Sequence, residues 1–445
     1  MLGPQPQSAR PARLPSPARA WLVGLGVLTL ALLPGTAQAA SQQPGAPASA
    51  AVAADDIRAN QQWVLGMLNV VPAWPRSEGA GVTVAVIDSG VDPDVSDLSG
   101  SVTTGPDYTG VSTSPASQDW GVHGTWMASL IAGHGHDGGG SGVIGVAPQA
   151  RILSIRVIPD RADPHYGKYE REQENRIQQS LANGINYAVA HGAQVISMSI
   201  GYGAPSGTVR TALQHAYDHD VVVLASAGNS GDQAGSGRKG QAPESFPADY
   251  PGVISVGAVK ASGAVASFSS DNLSVQVAAP GVSIPAQGRD GQYWWVSGTS
   301  PACALVAGVA ALIESRYPGL APDLVATALT STTTYRPPGG YDSQLGFGVV
   351  DATAALTKAG TLARARPTRP STPAPIATRT GAGSSVTGSG ARTAATAKFH
   401  GTIPAEPVPP RGPGQLVLFA LLALASLVLT AAAATRLAFI RRSRR

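Results

Sequence analysis

Cysteine and aromatic residues are scarce in this chain of 445 residues. One Cys is present, and aromatic side chains make up 5% of the sequence. Because one thiol cannot close a disulfide within the chain, a small disulfide-stapled scaffold is excluded. The length suits one large α/β domain with extensions, or two or three ordinary domains. A packed hydrophobic core must therefore supply the stability of the fold.

Basic side chains are also few in the central part of the sequence. Residues 41–360 hold 26 acidic against 16 basic side chains, although the whole chain has a net charge of +4. The basic surplus lies towards the ends, with three Arg in residues 1–40 and five in residues 436–445. A nucleic-acid-binding protein carries a basic patch on its folded body. No nucleic acid is therefore expected as a partner.

A secretory signal peptide is predicted over residues 1–40. Three Arg precede the apolar run Trp21–Leu33, and the small-residue sequence Ala-Gln-Ala follows at 37–39. A basic region, a short apolar region and such a cleavage site are typical of secretory signals. An uncleaved N-terminal anchor is the alternative, although the run is short for a membrane span.

A transmembrane helix is predicted at residues 414–435, followed by a basic tail at 436–445. Leu416–Thr435 is apolar and uncharged, and as a helix it would cross a hydrocarbon core of about 30 Å. The Arg-rich tail places the C-terminus in the cytoplasm and the rest of the chain outside. A buried core helix is the alternative. Residues 356–413, rich in Pro, Ala and Thr, are predicted to be a disordered linker.

Residues 81–355 alternate apolar strand-like runs with helical patterns. This alternation indicates one α/β domain with a mainly parallel sheet covered by helices. The predicted strands are Val82–Ile87, Arg151–Val157, Val195–Ser199, Val221–Ser226 and Val253–Val259. The predicted helices are Gly124–Ala132, Ile177–His191, Thr208–Asp218, Ala302–Arg316 and Pro322–Thr330.

Three polar residues in this domain stand at positions suited to chemistry. Asp88 follows the first predicted strand, His123 precedes an apolar helix, and Ser300 precedes a helix of small residues. Taken singly, each has a plainer interpretation, namely a turn, a structural histidine and a helix cap. Their combination changes the interpretation, because a serine nucleophile needs a base, and that base needs an anion to orient it. Asn229, after the fourth predicted strand, adds an amide that could donate to an oxyanion.

Six motifs surround or separate these residues. They are VAVIDSGVD around Asp88, HGTWMASLIAG around His123, GVAPQARILSIRV after it, QVISMSIG at 194–201, ASAGNSG around Asn229 and SGTSPACALVAGVAAL around Ser300. As a set they resemble subtilisin-like serine proteases over residues 81–350. The resemblance implies a three-layer subtilisin-like fold, a catalytic triad of Asp88, His123 and Ser300, and an oxyanion hole of Asn229 with the Ser300 backbone N–H.

The same resemblance implies a polypeptide substrate. Ser199, Ile200 and Gly201 would line the cleft, where their backbone could pair with an extended peptide as an added strand. The alternative for this segment is a buried strand ending. Neither a metal nor a cofactor is expected for the reaction, although the resemblance leaves room for a structural calcium ion.

The layout of the whole chain resembles the mycosins, membrane-anchored proteases of type VII secretion systems. Residues 41–80 would form the short N-terminal extension, whose segment at 57–65 resembles the start of a mycosin extension. This resemblance implies a type VII secretion membrane complex as a partner. Two other functions remain open. The protein could be a mainly structural component of a secretion complex, or a membrane-anchored subtilisin unrelated to secretion.

The chain departs from the family pattern near the nucleophile. Pro301 follows Ser300 directly, and Ala304 takes the place where the family usually has Pro. Proline suits the first turn of a helix but restricts the preceding residue away from helical angles. Cys303 could be read as a rival nucleophile, but a small apolar residue here is expected simply to pack. Mycosins often carry disulfides, which this chain cannot form internally.

Two further segments have mainly structural interpretations. Pro159–Arg176 reads as a polar insertion before a helix, and Asp163 and His165 within it suggest either a metal site or, as favoured here, a solvated loop. Gly138–Gly142 is expected to be a flexible loop, since it lacks the Lys and Ser/Thr of a phosphate-binding loop.

Overall fold

A seven-stranded parallel sheet organises the computed structural model, which describes residues 50–52, 57–171, 173–231 and 242–365. The strands are β1 (Ala50–Val52), β2 (Thr83–Asp88), β3 (Val102–Asp107), β4 (His134–His136), β5 (Ser141–Ile144), β6 (Arg151–Arg156), β7 (Val195–Met198), β8 (Val222–Ser226), β9 (Ile254–Val259), β10 (Val275–Pro280), β11 (Ile284–Gln287) and β12 (Tyr293–Val296). The large sheet has the order β10-β9-β8-β7-β2-β6-β3, and every pairing between these strands is parallel.

Helices cover both faces of this sheet. They are α1 (Ile57–Met67), α2 (Val122–Ala132), α3 (Tyr166–Arg171), α4 (Gln173–Ala190), α5 (Gly207–Asp218), α6 (Thr299–Arg316), α7 (Pro322–Ser331) and α8 (Ala352–Ala365). Helices α2 and α6 share one hydrophobic core, while α4 and α5 belong to another. In strand β2, Val84 and Val86 enter the first core and Ala85 and Ile87 the second. Because both faces are buried, the strand reads as a continuous apolar run.

Two small antiparallel sheets flank the large one. Strands β4 and β5 form a pair, and β12 pairs with β11 on one side and β1 on the other. These short strands were not predicted from the sequence. The expected flexible loop at 138–142 is therefore partly ordered, since β5 begins at Ser141.

The N-terminal extension packs on the body of the domain through α1. The Gln61 amide donates to the Ile144 carbonyl at 2.5 Å and accepts the Ile144 N–H at 3.0 Å. The Arg58 guanidinium donates to the carbonyls of Ser141 at 2.9 Å and Gly142 at 3.0 Å. Helix α1 thus lies along β5 and bonds to its backbone.

The predicted α/β class and the five predicted strands and five predicted helices are confirmed, with bounds that differ by a few residues. Helix α8 continues to Ala365, beyond residue 355 where the domain was expected to end. The predicted signal, most of the linker, the span at 414–435 and the basic tail lie outside the described residues. Within the described part of the chain, no helix combines the length and apolar character needed to cross a membrane.

Candidate active site

Asp88, the last residue of β2, forms a hydrogen-bonded pair with His123. The His123 Nδ1 and Asp88 Oδ1 atoms are 2.8 Å apart, and the Asp88 side chain is 2% exposed. The other Asp88 oxygen is buried without a partner among the described residues. Asp88 Oδ1 also accepts the Ser89 backbone N–H at 2.7 Å, which holds the carboxylate in one orientation.

Glycine at two positions brings the His123 helix close to the Asp88 turn. A Cβ atom on Gly124 would lie 2.0 Å from the Gly90 carbonyl oxygen. Gly90 itself has φ of 100° and packs against Trp120, so a side chain there would be strained as well as obstructed. The two glycines therefore allow helix and turn to touch, which sets the distance between imidazole and carboxylate.

The electrostatic surroundings strengthen His123 as a base. Burial lowers the pKa of His123, but the charge and hydrogen bond of Asp88, together with the charge of Asp160, outweigh this, and the net pKa lies above the usual value. Asp160, in the loop after β6, adds a second negative charge and accepts the backbone N–H of His123 at 2.9 Å. Nothing in the local sequence around His123 pointed to Asp160, which comes from a distant part of the chain.

Ser300 is the second residue of α6 and is half-buried. One turn further on, the Cys303 sulfur lies 3.9 Å from the Met198 carbonyl oxygen at the end of β7. Since β7 neighbours β2 in the sheet, the start of α6 and the Asp88 turn lie beyond the same sheet edge. Helix α6 includes both Ser300 and Pro301, and Pro301 is tolerated there because first-turn N–H groups need no partner within the helix.

Cys303 is a packing residue. It is fully buried, and burial raises the pKa of its thiol to about 12. The reactive thiolate is therefore scarce at neutral pH, which agrees with the sequence-based expectation.

Asn229 follows β8 and is oriented by the residue before Ser300. Its side-chain oxygen accepts the backbone N–H of Thr299 at 2.9 Å and the Thr299 hydroxyl at 3.0 Å. The Thr299 hydroxyl also accepts the Gly228 N–H at 3.2 Å. With the oxygen held in this way, the Asn229 amide nitrogen remains available as a donor beside the start of α6.

The segment Ser199–Gly201 leaves the end of β7. Ile200 is buried in the core, Gly201 is exposed, and the Ser199 hydroxyl is buried without a partner among the described residues. Exposed backbone at Gly201 is compatible with the expected peptide contact, while Ile200 anchors the segment.

The buried side chain of Arg156 bonds to the backbone of the turn that follows Asp88. Arg156 is 2% exposed and donates to the Ser89 carbonyl at 3.1 Å, to Asp107 at 2.6 Å and to Asp163 at 3.0 Å. The expectation of a solvated loop was wrong at Asp160 and Asp163, which are buried because they satisfy buried donors. No group of metal-binding side chains able to hold an ion occurs among the described residues.

The parallel sheet, the Asp–His pair after β2 and the Asn–Thr contact at the start of α6 define a subtilisin-like α/β protein. The chain belongs to the subtilase family of serine peptidases, whose family model matches residues 79–348. Subtilisin E of Bacillus subtilis (strain 168) is 36% identical over 277 residues, which cover 62% of this chain and 66% of that protein. The chain thus spans a little under two thirds of that relative's length.

Solved structures of mycosins are similar as well. MycP1 from Mycobacterium smegmatis has a TM-score of 0.56 and 30% identity, covering 66% of this chain and 84% of that chain. Another MycP1 structure, a serine protease described as an essential component of the type VII (ESX-1) secretion system, has a TM-score of 0.54 and 34% identity. It covers 71% of this chain and 94% of that chain.

Proposed function

We propose that the protein is a serine endopeptidase that cleaves polypeptides through an acyl-enzyme on Ser300. The hydrogen bond between Asp88 and His123 Nδ1 carries the proposal. It fixes the tautomer in which Nδ1 bears the proton, so that Nε2 has a free lone pair for the serine proton.

In the proposed reaction, the Ser300 oxygen attacks the carbonyl carbon of the scissile peptide while His123 Nε2 takes the hydroxyl proton. The resulting oxyanion accepts hydrogen bonds from the Asn229 amide and the Ser300 backbone N–H. Collapse of the intermediate breaks the C–N bond, and His123 returns the proton to the departing amine. Water then repeats the sequence on the ester and releases the acid. Residues 199–201 bind the substrate backbone in this proposal.

Covalent labelling tests the assignment of Ser300. The full-length protein should react with a serine-directed fluorophosphonate, and Ser300→Ala should abolish the reaction. Ser297→Ala is a matched control, since its hydroxyl accepts the Ser283 N–H at 2.9 Å and has no proposed catalytic role. Labelling of a folded Ser300→Ala variant, or loss of labelling in Ser297→Ala, would contradict the assignment.

The proposal includes a location at the outer face of the cell membrane. It rests on the signal at residues 1–40, the span at 414–435 and the Arg-rich tail. The protein should stay with membranes after a salt wash, and protease added to intact cells should remove the domain but spare a tag on the C-terminus. Release of the protein by salt would argue against the span.

Association with type VII secretion is supported by the printed description of MycP1 and by the similar layout of this sequence. That description also favours a second candidate function, a mainly structural role in a secretion complex. Complementation separates the two, since Ser300→Ala should restore secretion in a deletion strain only if proteolysis is dispensable. Unchanged secretion in the deletion strain itself would instead favour a membrane-anchored subtilisin unrelated to secretion.

A further inference from the structure

Asp160 caps the helix that carries His123, although it belongs to a different part of the chain. Its two carboxylate oxygens accept the backbone N–H groups of Val122 at 2.8 Å and His123 at 2.9 Å. The residue preceding the helix, Gly121, provides no side-chain cap. Asp160 is 7% exposed and therefore occupies this position almost shielded from water.

The first turn of a helix presents N–H groups without partners and the positive end of the helix dipole. A carboxylate accepts hydrogen bonds from these N–H groups and interacts favourably with the positive end of the dipole. Burial raises the pKa of Asp160 above its usual value, and the bonds from the His123 and Val122 N–H groups offset only part of that rise. The two N–H bonds therefore stabilise the carboxylate against the cost of its burial.

The charged groups that act on the imidazole come from two elements. Asp88 at the end of β2 and Asp160 after β6 both raise the pKa of His123, and Arg161 beside Asp160 lowers it. Asp88 bonds to the ring directly. Asp160 bonds instead to the backbone from which the ring extends, so it acts on both the position and the charge of His123.

We propose that Asp160 is a positioning residue of the active site, which fixes the first turn of α2 so that His123 meets Asp88 and places a second negative charge behind the imidazole. This inference rests on the proposed role of His123 as the catalytic base. The effect on position and the effect on charge are separable by mutation. Asp160→Asn keeps the shape and one acceptor but removes the charge, whereas Asp160→Ala removes both.

The charge effect is tested by NMR titration of the full-length protein with 13C-labelled histidine. The His123 signal is the one absent from His123→Gln. Loss of the neighbouring negative charge makes protonation less favourable, so Asp160→Asn should lower the titration midpoint of His123 by about half a pH unit or more. Asp119→Asn is the control, because this carboxylate lies four residues from His123 and is not among the groups that act on the ring.

The position effect is tested by peptide hydrolysis. In Asp160→Asn the acid limb of the kcat/KM profile should move to lower pH together with the NMR midpoint. In Asp160→Ala kcat on the pH plateau should fall about tenfold or more with little change in KM, because a displaced base no longer reaches the serine proton. Thermal melting of each variant shows first whether it is folded.

The possible outcomes distinguish the two proposals. Equal His123 midpoints in Asp160→Asn and Asp119→Asn would overturn the charge effect, and an unchanged kcat in folded Asp160→Ala would overturn the position effect. If Asp160→Ala does not fold, the proposal is decided by Asp160→Asn alone. The two measurements are then its His123 titration midpoint and the acid limb of its kcat/KM profile. If the wild type hydrolyses no peptide while the midpoint still falls in Asp160→Asn, the proposed function fails and the effect of Asp160 on His123 stands.

Discussion

Thr299 determines which end of the Asn229 amide faces the start of α6. The oxygen and nitrogen of a carboxamide have similar size, so shape alone does not choose between the two orientations. The Thr299 N–H and hydroxyl both donate to the oxygen, which selects the orientation with the nitrogen free. The hydroxyl also binds the Gly228 N–H and thereby ties α6 to the end of β8.

Replacement of this hydroxyl should weaken the proposed oxyanion hole. Thr299→Val keeps the backbone donor and the side-chain shape but loses the second bond to Asn229. We expect kcat to fall about tenfold, less than the 10²–10³ of removing an oxyanion donor outright. Thr299→Ser retains the hydroxyl and should stay close to wild type, whereas an unchanged kcat in Thr299→Val would show that the hydroxyl does not orient Asn229. Steady-state kinetics on one peptide substrate measure kcat for the wild type and both variants.

At this scale the sequence identifies residues whose motifs are local. Asp88, His123 and Asn229 lie where strands end or a helix begins, and such positions can be read from apolar runs. Asp160 and Arg156 could not be identified in this way. Their partners lie 37 and 67 residues away in the chain, at His123 and Ser89, so that only the folded arrangement reveals them.

Helix α1 is attached to the domain through backbone groups of β5. Gln61 is fully buried and uses both ends of its amide on the N–H and carbonyl of Ile144. Without Gln61, both of these half-buried backbone groups would lose a hydrogen-bond partner. Helix α1 is thereby attached to the folded domain. The Gln61 amide bonds to β5 as the backbone of a neighbouring strand would.

Gln61→Ala should destabilise the protein. Both Ile144 groups would lose their partner, and one such hydrogen bond contributes about 0.5–1.5 kcal/mol. Urea unfolding should therefore show a loss of about 1–3 kcal/mol in the free energy of unfolding. Gln62→Ala is the matched control, because Gln62 follows Gln61 in the helix and its side chain is exposed. A similar loss in both variants would show that the docking of α1 does not depend on this amide.

Among the elements, five strands of the large sheet and five helices were predicted from the sequence, whereas β3, β10 and the short antiparallel strands were not. Strands β4, β5, β11 and β12 have three or four residues each, which is too short for a clear alternation of apolar and polar residues. Pro285 lies inside β11, where proline argues against a strand from sequence alone. Pairing with neighbours, not local preference, forms these strands.

At the scale of the whole molecule, the buried carboxyl group of Glu314 links stability to pH. Glu314 near the end of α6 is 2% exposed, and one of its oxygens has no partner among the described residues. The other accepts the Gly319 N–H at 3.3 Å. Burial raises the pKa of Glu314 to about 8.

This shift predicts a loss of stability with increasing pH. Because the folded protein holds the proton more tightly than the unfolded chain, the contribution is complete below the unfolded pKa of about 4.3 and is lost as pH rises to about 8. Glu314→Gln lacks this loss, so the difference in free energy of unfolding between variant and wild type should grow in favour of Gln by about 2 kcal/mol or more between pH 5 and about 8.5. Glu244→Gln, at an exposed position, should show no such pH dependence. Parallel curves for all three proteins would contradict the prediction.

The order of elements in the sheet has a consequence for the newborn chain. Asp88 and His123 belong to the first third of the polypeptide, whereas Ser300 belongs to α6, which inserts against β7, β8 and β9. If the proposed triad operates, a nascent chain that has not reached Ser300 therefore carries the base without the alcohol. Such a chain would be unable to cleave itself, and the order of the elements would delay activity until α6 has been synthesised.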